Sequence, residues 1–391
     1  MFWFFLFFIK MIFFSEAKIF NLGLWYIVSI SLSITIGSLL IPSQVLPRRE
    51  KYYTFEEIIS FFKIRSPLIM LLISIFSTSA ILGVISLLLF GINRYELTYH
   101  ISSLLSLPGM IYDDRDAGIL LIPWYIKYLT YFIMPAALLA GVIVPFKKFP
   151  SKLLCYMPII LAILVGMIYT TRASILLAII LFISGLLSSY VLLKKDDNFL
   201  YNIKTIIVIL FLLLFLLCVW IFLQWLRGGA NSEFILLPIV DLIKSAALGT
   251  TTAFTTWFQY SQHNDISYGL YTFAGPMDLI GLNDRELGFY KDFIALPNGY
   301  TNIYTAFRGL IHDFTVPGSI FICLFIGIIA QLSYYRCRDG NIIWVIPLSL
   351  FFAYTLFSPF ISIFSSNSVT IAWIVSFFIL YKYNSGRSIN Y

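Results

Sequence analysis

Apolar residues in this chain come in long runs, not in alternation. Runs of a length suited to a bilayer cover 20–41, 67–90, 119–144, 153–169, 173–193, 205–225, 316–335, 342–363 and 368–383, and a shorter one covers 2–14. A helix rises about 1.5 Å per residue, so about 20 apolar residues cross a hydrocarbon layer of about 30 Å. The every-second-residue alternation of a transmembrane barrel is missing. The pattern predicts an all-α polytopic integral membrane protein with about 10 transmembrane helices. The run at 2–14 is short for a full crossing. It lacks the basic leading region and small-residue cleavage site of a signal peptide, and Lys10 can snorkel.

Composition supports this reading. The 391 residues are 60% hydrophobic, 18% aromatic and only 12% charged, whereas soluble domains carry about 25% charged residues. A disordered chain, a fibre and a secreted disulfide scaffold are excluded. The net charge of +7 would suggest nucleic acid in a soluble protein. Here it reads as topology, because cytoplasmic loops collect Lys and Arg. The loops 42–66, 145–152, 194–204 and 336–341 hold Arg48, Arg49, Lys51, Lys147, Lys148, Lys194, Lys195, Arg336 and Arg338. This asymmetry predicts that both termini are cytoplasmic and that the longest loop, 226–315, is exterior. Cys155, Cys218, Cys323 and Cys337 lie outside that loop and show no zinc-site spacing, so no structural disulfide is expected.

The loop lengths divide the chain into a bundle of about seven spans at 1–225, a large exterior loop at 226–315, and a bundle of about three spans with a cytoplasmic tail at 316–391. No internal repeat of the kind common in secondary transporters is visible. In the shorter exterior loop, 94–107 places Leu97, Ile101, Leu104 and Leu105 on one side of an expected interfacial helix. Asp113-Asp114-Arg115-Asp116 reads as a polar turn capping the next span.

The large loop is patterned. Residues 231–248 are amphipathic and predict a helix on the membrane surface. Tyr268-Gly269-Leu270-Tyr271-Thr272-Phe273 is an aromatic unit. Gly275-Pro276 and Pro297-Asn298-Gly299 are turn signals. The segment 301–314 predicts a helix capped by Thr301 or Asn302. At about 100° per residue, Ile303, Phe307, Leu310, Ile311 and Phe314 share one face. Thr301, Thr305, Arg308 and His312 share the opposite face, and Asp313 points away from His312. Alone, such a face would be an ordinary solvated one.

Scarce charges make the arginines informative. Arg94, Arg115, Arg172, Arg227, Arg285 and Arg308 lie in exterior or near-membrane positions. Arg172, in Tyr169-Thr170-Thr171-Arg172-Ala173-Ser174, sits between two spans with almost no loop, where a cation is costly unless it faces protein, water or an anion. Arg227 emerges into Gly228-Gly229. Arginine binds phosphate bidentately and stays charged, so an outer cluster suits a lipid-linked diphosphate. Snorkelling to headgroups is the plainer reading for Arg227 and Arg308 and most of all for Arg94, Arg115 and Arg285, and stands level with the ligand reading at Arg172. His100, His263 and His312 share no ligand spacing, so no metal site is expected. Nucleotide loops, a dinucleotide fingerprint and a nucleophile elbow are missing, so no cofactor is expected.

Several of these segments resemble bacterial oligosaccharide repeat-unit polymerases, the Wzy-type O-antigen and capsule polymerases. They are Asn21-Leu22-Gly23-Leu24-Trp25, Thr170-Thr171-Arg172-Ala173-Ser174, the stretch Gly249 to Phe258, and the Gly-x-x-Thr-Phe element within Tyr268–Phe273. The most specific is Thr301-Asn302-Ile303-Tyr304-Thr305-Ala306-Phe307-Arg308, continuing to Asp313-Phe314. The family carries Asp-Phe-Gly there; this chain has Thr315 for the glycine and Pro317 soon after. The resemblance implies a GT-C-like, metal-independent glycosyltransferase of the bacterial inner membrane, with both termini cytoplasmic and the large loop periplasmic. Its substrates would be undecaprenyl-diphosphate-linked glycans. Arg172 and Arg308, and less centrally Arg227 and Arg285, would hold the diphosphate. Tyr304, Tyr268 and Tyr271 would contact glycan. His312 or Asp313 would be the general base. Membrane lipids and the pathway's flippase and chain-length regulator are the implied partners. An O-antigen ligase and a flippase or transporter of lipid-linked oligosaccharide are the alternative readings.

Overall fold

A computed structural model describes residues 21–42, 55–193, 203–227, 249–261, 266–282, 290, 292–296 and 299–385. The chain is mainly helical. Among the described residues six helices are long and apolar enough to cross a membrane: Asn21–Leu39, Ser66–Arg94, Trp124–Phe146, Ser151–Ile168, Arg172–Leu192 and Ala306–Arg338. Shorter apolar helices cover Leu217–Arg227, Ile342–Phe357 and Asn367–Lys382. The expected short span at 2–14 and surface helix at 231–248 lie outside the described residues.

Several boundaries differ from those expected. The loop at 42–66 turns helical at Phe55, and one helix runs Phe55–Arg94. Glu56 and Glu57 occupy its first turn, where carboxylates favour the helix dipole. Ile58 and Phe62 bury their side chains, and Phe62 stacks on Phe146 at 4.0 Å. The surface helix expected at 94–107 instead runs Ile101–Asp116. Glu96 takes a positive φ of 51°, which ends the preceding helix, and Arg94 pairs with Asp114 at 2.7 Å. The acidic cluster therefore ends this helix and ties it to the span before it.

Two compact units emerge, each assembled from segments distant in sequence. They follow packing and cut the chain differently from the loop lengths. One contains Arg49–Ile239, Arg336–Leu350 and Ile371–Tyr391. Its densest contact joins helices Ile133–Ile143 and Arg172–Leu192. There a Cβ on Gly141 would run into the Phe182 carbonyl, and one on Gly185 would sit 2.6 Å from the Leu138 carbonyl oxygen. Small residues permit this backbone approach, which is how helices gain contact where lipid offers no hydrophobic drive. Ile175, Ile179 and Leu223 form an apolar cluster beside it.

The other unit contains Met1–Arg48, Val240–Tyr335 and Phe351–Thr370. Helix Asn21–Leu39 packs on the helix ending at Arg338 through Gly37, opposite the Leu324 carbonyl, and Gly327, opposite the Ile34 carbonyl. Strands Ile294–Leu296 and Gly299–Thr301 pair antiparallel, with Ile294 opposite Thr301 and Leu296 opposite Gly299. This hairpin takes up Thr301, the first residue of the expected helix 301–314, which starts at Ala306 instead. Thr301 is a strand residue, not a cap. Ala306–Arg338 is two helices joined at Thr315, whose φ of 63° and ψ of 175° are not helical. Pro317 then falls in the first turn of the second piece, where its missing N–H costs nothing.

Candidate functional site

The helix Ala306–Phe314 carries the densest chemistry of its unit. The Ala306 N–H donates to the Ser358 carbonyl at 2.9 Å. Phe307, Leu310 and Ile311 are buried, and Phe307 lies against Phe254 and Tyr26. The apolar face is therefore core, as its period predicts. The opposite face is packed too. Arg308 is only 4% exposed.

Three aromatic rings enclose that cation. Its guanidinium carbon lies 3.8 Å from the Tyr290 ring centroid, 4.1 Å from Tyr304 and 4.9 Å from Trp257. Ring faces carry negative potential, so this box offsets part of the desolvation of the charge. Arg308 Nη2 donates to Asp292 Oδ2 at 2.7 Å, and Nε donates to His312 Nε2 at 3.4 Å. Nη1 is buried and has no hydrogen-bond partner among the described residues. A buried unmet donor of a charged group is costly, and it marks where an acceptor oxygen would be received.

His312 sits between rings. Tyr271 stacks on it at 4.9 Å and 27°, and Trp257 lies 5.1 Å away. Asp313, fully buried, faces elsewhere. Its Oδ1 accepts from the Tyr271 N–H at 3.1 Å and its Oδ2 from the Thr272 N–H at 2.6 Å. Ser362 Oγ donates to the Thr272 carbonyl at 2.7 Å. The aromatic unit Tyr268–Phe273 is thus pinned to the His312 helix by a carboxylate. Its bend rests on positive φ at Tyr268 and Gly269.

The three expected glycan-contacting tyrosines fare differently. Tyr268 is 79% exposed and Tyr271 half exposed. Tyr304 is fully buried: its ring plates Arg308, and its hydroxyl donates to the Asp292 carbonyl at 3.0 Å. Burial raises the pKa of Tyr290, with the Arg308 charge pulling the other way. Burial likewise raises that of Tyr304. Both rings are neutral plates at physiological pH.

Arg172 and Arg227 belong to the unit that contains Arg49–Ile239, where they gather at one turn. Both Nε and Nη2 of Arg227 donate to the Thr170 carbonyl, at 3.2 and 2.5 Å. Arg172 donates to Gln224 Oε1 and lies 4.1 Å over the Trp220 ring. Trp220, Gln224 and Arg227 share one helix face by their spacing. Arg115 joins them, donating from Nη1 to the Tyr169 carbonyl at 2.6 Å. Arg285 lies outside the described residues.

The sequence reading missed Trp257, Tyr290 and Asp292, and gave Arg115 the plainer reading of a snorkelling cation. Trp257 stands inside the Gly249 to Phe258 motif, which was a usable signal. Tyr290 and Asp292 carry none, because a ring laid on a cation follows no period. No family model, no curated protein and no solved structure matches the chain.

Proposed function

We propose that this protein polymerises undecaprenyl-diphosphate-linked oligosaccharide repeat units, of O-antigen or capsule, by glycosyl transfer at the periplasmic face of the bacterial inner membrane. About ten spans, a GT-C-like layout and cytoplasmic termini belong to this reading. The observation that carries it is the buried Arg308, boxed by rings, adjoining His312 and holding an unmet Nη1 donor. Such a group suits the negative charge that develops on a diphosphate leaving group.

In the reaction, an acceptor sugar hydroxyl attacks the anomeric carbon of the donor. The new bond joins that oxygen to the anomeric carbon. The bond from the anomeric carbon to the diphosphate oxygen breaks, and its electron pair leaves with undecaprenyl diphosphate. The hydroxyl proton passes to the His312 imidazole as general base. Asp313, with both oxygens engaged by backbone amides, holds the aromatic unit in place. Arg308 stabilises the leaving charge; the roles of Arg172, Arg227 and Arg285 in holding phosphoryl oxygens are those the resemblance implies. Tyr268 and Tyr271 present rings to the glycan, and Tyr304 holds Arg308.

The test is purified protein with synthetic lipid-linked repeat units in metal-free buffer, read as a ladder on a gel. Wild type makes polymer, whereas Arg308→Ala and Arg172→Ala make none while remaining in the membrane. A normal ladder from either variant removes that arginine from the mechanism. Wild type that makes no polymer but moves the glycan to a second lipid supports a ligase instead.

A further inference from the structure

Two legs of one hairpin meet on Arg308. The leading leg brings the Tyr290 ring, 3.8 Å from the guanidinium carbon, and Asp292, whose Oδ2 accepts from Nη2 at 2.7 Å. The trailing leg brings the Tyr304 ring at 4.1 Å. Between the legs, strands Ile294–Leu296 and Gly299–Thr301 pair antiparallel. The Tyr304 hydroxyl donates to the Asp292 carbonyl at 3.0 Å, so the legs are tied again at their base. Arg308 lies almost wholly buried beneath them. An outside oxygen reaches its guanidinium only when one of these groups moves.

Asp292 is the group suited to move. Tyr304 is fully buried at the start of the helix that carries Arg308. The Asp292 side chain is mostly in water, so letting go changes its hydration little, and an ion pair with one solvated partner is weak. Phe293 beside it and Tyr300 on the second strand are both exposed, so neither ring anchors the hairpin to the core. The hold on the cation is also incomplete. A guanidinium and a carboxylate can share two parallel hydrogen bonds. Here one oxygen meets one nitrogen, and Nη1 has no hydrogen-bond partner among the described residues. A phosphoryl group offers more oxygens and more charge, and can take two of the nitrogens at once. It outcompetes a carboxylate that is bound by one oxygen.

We propose that the Asp292 leg is an autoinhibitory lid: its carboxylate occupies Arg308 in place of phosphoryl oxygens, and it swings out to water when a prenyl diphosphate takes the fork. This rests on the reading that Arg308 receives a diphosphate. One anion replaces another on the same cation, and the ligand bears the cost of opening. Weakening the latch therefore loosens the fold but tightens the ligand. An ion pair that only holds the structure together would weaken both.

The experiment measures binding of farnesyl diphosphate to the full chain in detergent for wild type, Asp292→Asn and Tyr304→Phe, with farnesol as the uncharged control. Tyr304→Phe keeps the ring and removes the hydroxyl that ties the leg down. Asp292→Asn should bind the diphosphate about threefold to thirtyfold tighter, the range for giving up one charge-assisted hydrogen bond with a solvated partner. Tyr304→Phe should gain about twofold to fivefold. Farnesol binding should stay within about twofold in both, since no charge is involved. Amide exchange over the two strands should speed when wild type binds the diphosphate. Thermal unfolding without ligand reports whether Asp292→Asn holds its fold; where it does, that variant decides, and where it does not, Tyr304→Phe decides. An unchanged or weakened diphosphate affinity in the deciding variant, an equal gain for farnesol, exchange that slows or stays the same, or no diphosphate binding by any of the three proteins overturns the lid. Polymer is scored separately in the same preparations. A wild-type ladder without the gain removes the lid and leaves the polymerase reading standing; the gain without a ladder does the reverse.

Discussion

Arg308 donates to Asp292 at 2.7 Å from a guanidinium that is 4% exposed to a carboxylate that is 69% exposed. The pair straddles the edge of the protein, so the interior cation is tied to a partner that water still reaches. Among the described residues, removing that partner leaves Arg308 with its surrounding rings and a long contact to His312. Asp292→Ala should lower stability by about 1–3 kcal/mol, and Asp292→Asn, which keeps an acceptor, by less. Thermal unfolding of the solubilised protein measures both.

Arg308→Lys tests the ring box. An ammonium carries the charge but is not a flat plate to lie between Tyr290 and Tyr304, and it has no fork. The variant should make no polymer although its charge is unchanged. A full-length ladder would show that charge alone suffices at this position.

His312 and Asp313 are neighbours with separable duties. Asp313→Asn loses one of two buried amide contacts and should cost about 1.5–3 kcal/mol. His312→Ala should lower the unfolding midpoint modestly, because the ring packs against Tyr271 and Trp257, and stop polymer formation in protein that still folds. The opposite pattern, a stable inactive Asp313→Asn and an active His312→Ala, would move the base to Asp313.

Thr315 is a β-branched residue at φ 63° and ψ 175°, a region nearly reserved for glycine. Thr315→Gly relieves that strain, partly offset by the greater freedom of glycine in the unfolded chain. A net gain of about 1 kcal/mol is expected, measured by unfolding.

Tyr290 gives the fold an alkaline limit. Burial raises its pKa, so the folded protein keeps the neutral phenol after the unfolded chain has begun to ionise near pH 10. Its contribution is fully present below about pH 10 and is lost as pH rises towards the elevated folded value. Tyr290→Phe should flatten the decline of the unfolding midpoint above about pH 10.

The long spans were legible because an apolar run of bilayer length has few other uses. Their ends were less so. Helix Phe55–Arg94 begins well before the apolar run, because Ile58 and Phe62 find burial on an otherwise polar stretch. The Arg308 and His312 face followed from helical period alone. The hairpin Ile294–Thr301 did not, since three-residue strands are too short to display alternation. Nor did the partners of Arg308: Asp292 lies 16 positions away, and nothing local in its segment announces a role. Arg115 read first as a snorkelling cation in an acidic turn, because its contact with the Tyr169 carbonyl appears only on packing.

The glycine contacts between Asn21–Leu39 and the helix that ends at Arg338 have a mechanical consequence. Carbonyl oxygens oppose Gly37 and Gly327, so neither helix can roll about its axis without backbone meeting backbone, and no side-chain rearrangement can ease that collision. The membrane stretch is in effect clamped. Any displacement of Arg308 must then be absorbed upstream of the clamp, at Thr315, where the helical ladder is already broken. Stiffness on one side and a joint on the other would let the segment bearing Arg308 and His312 tilt while its anchor stays put.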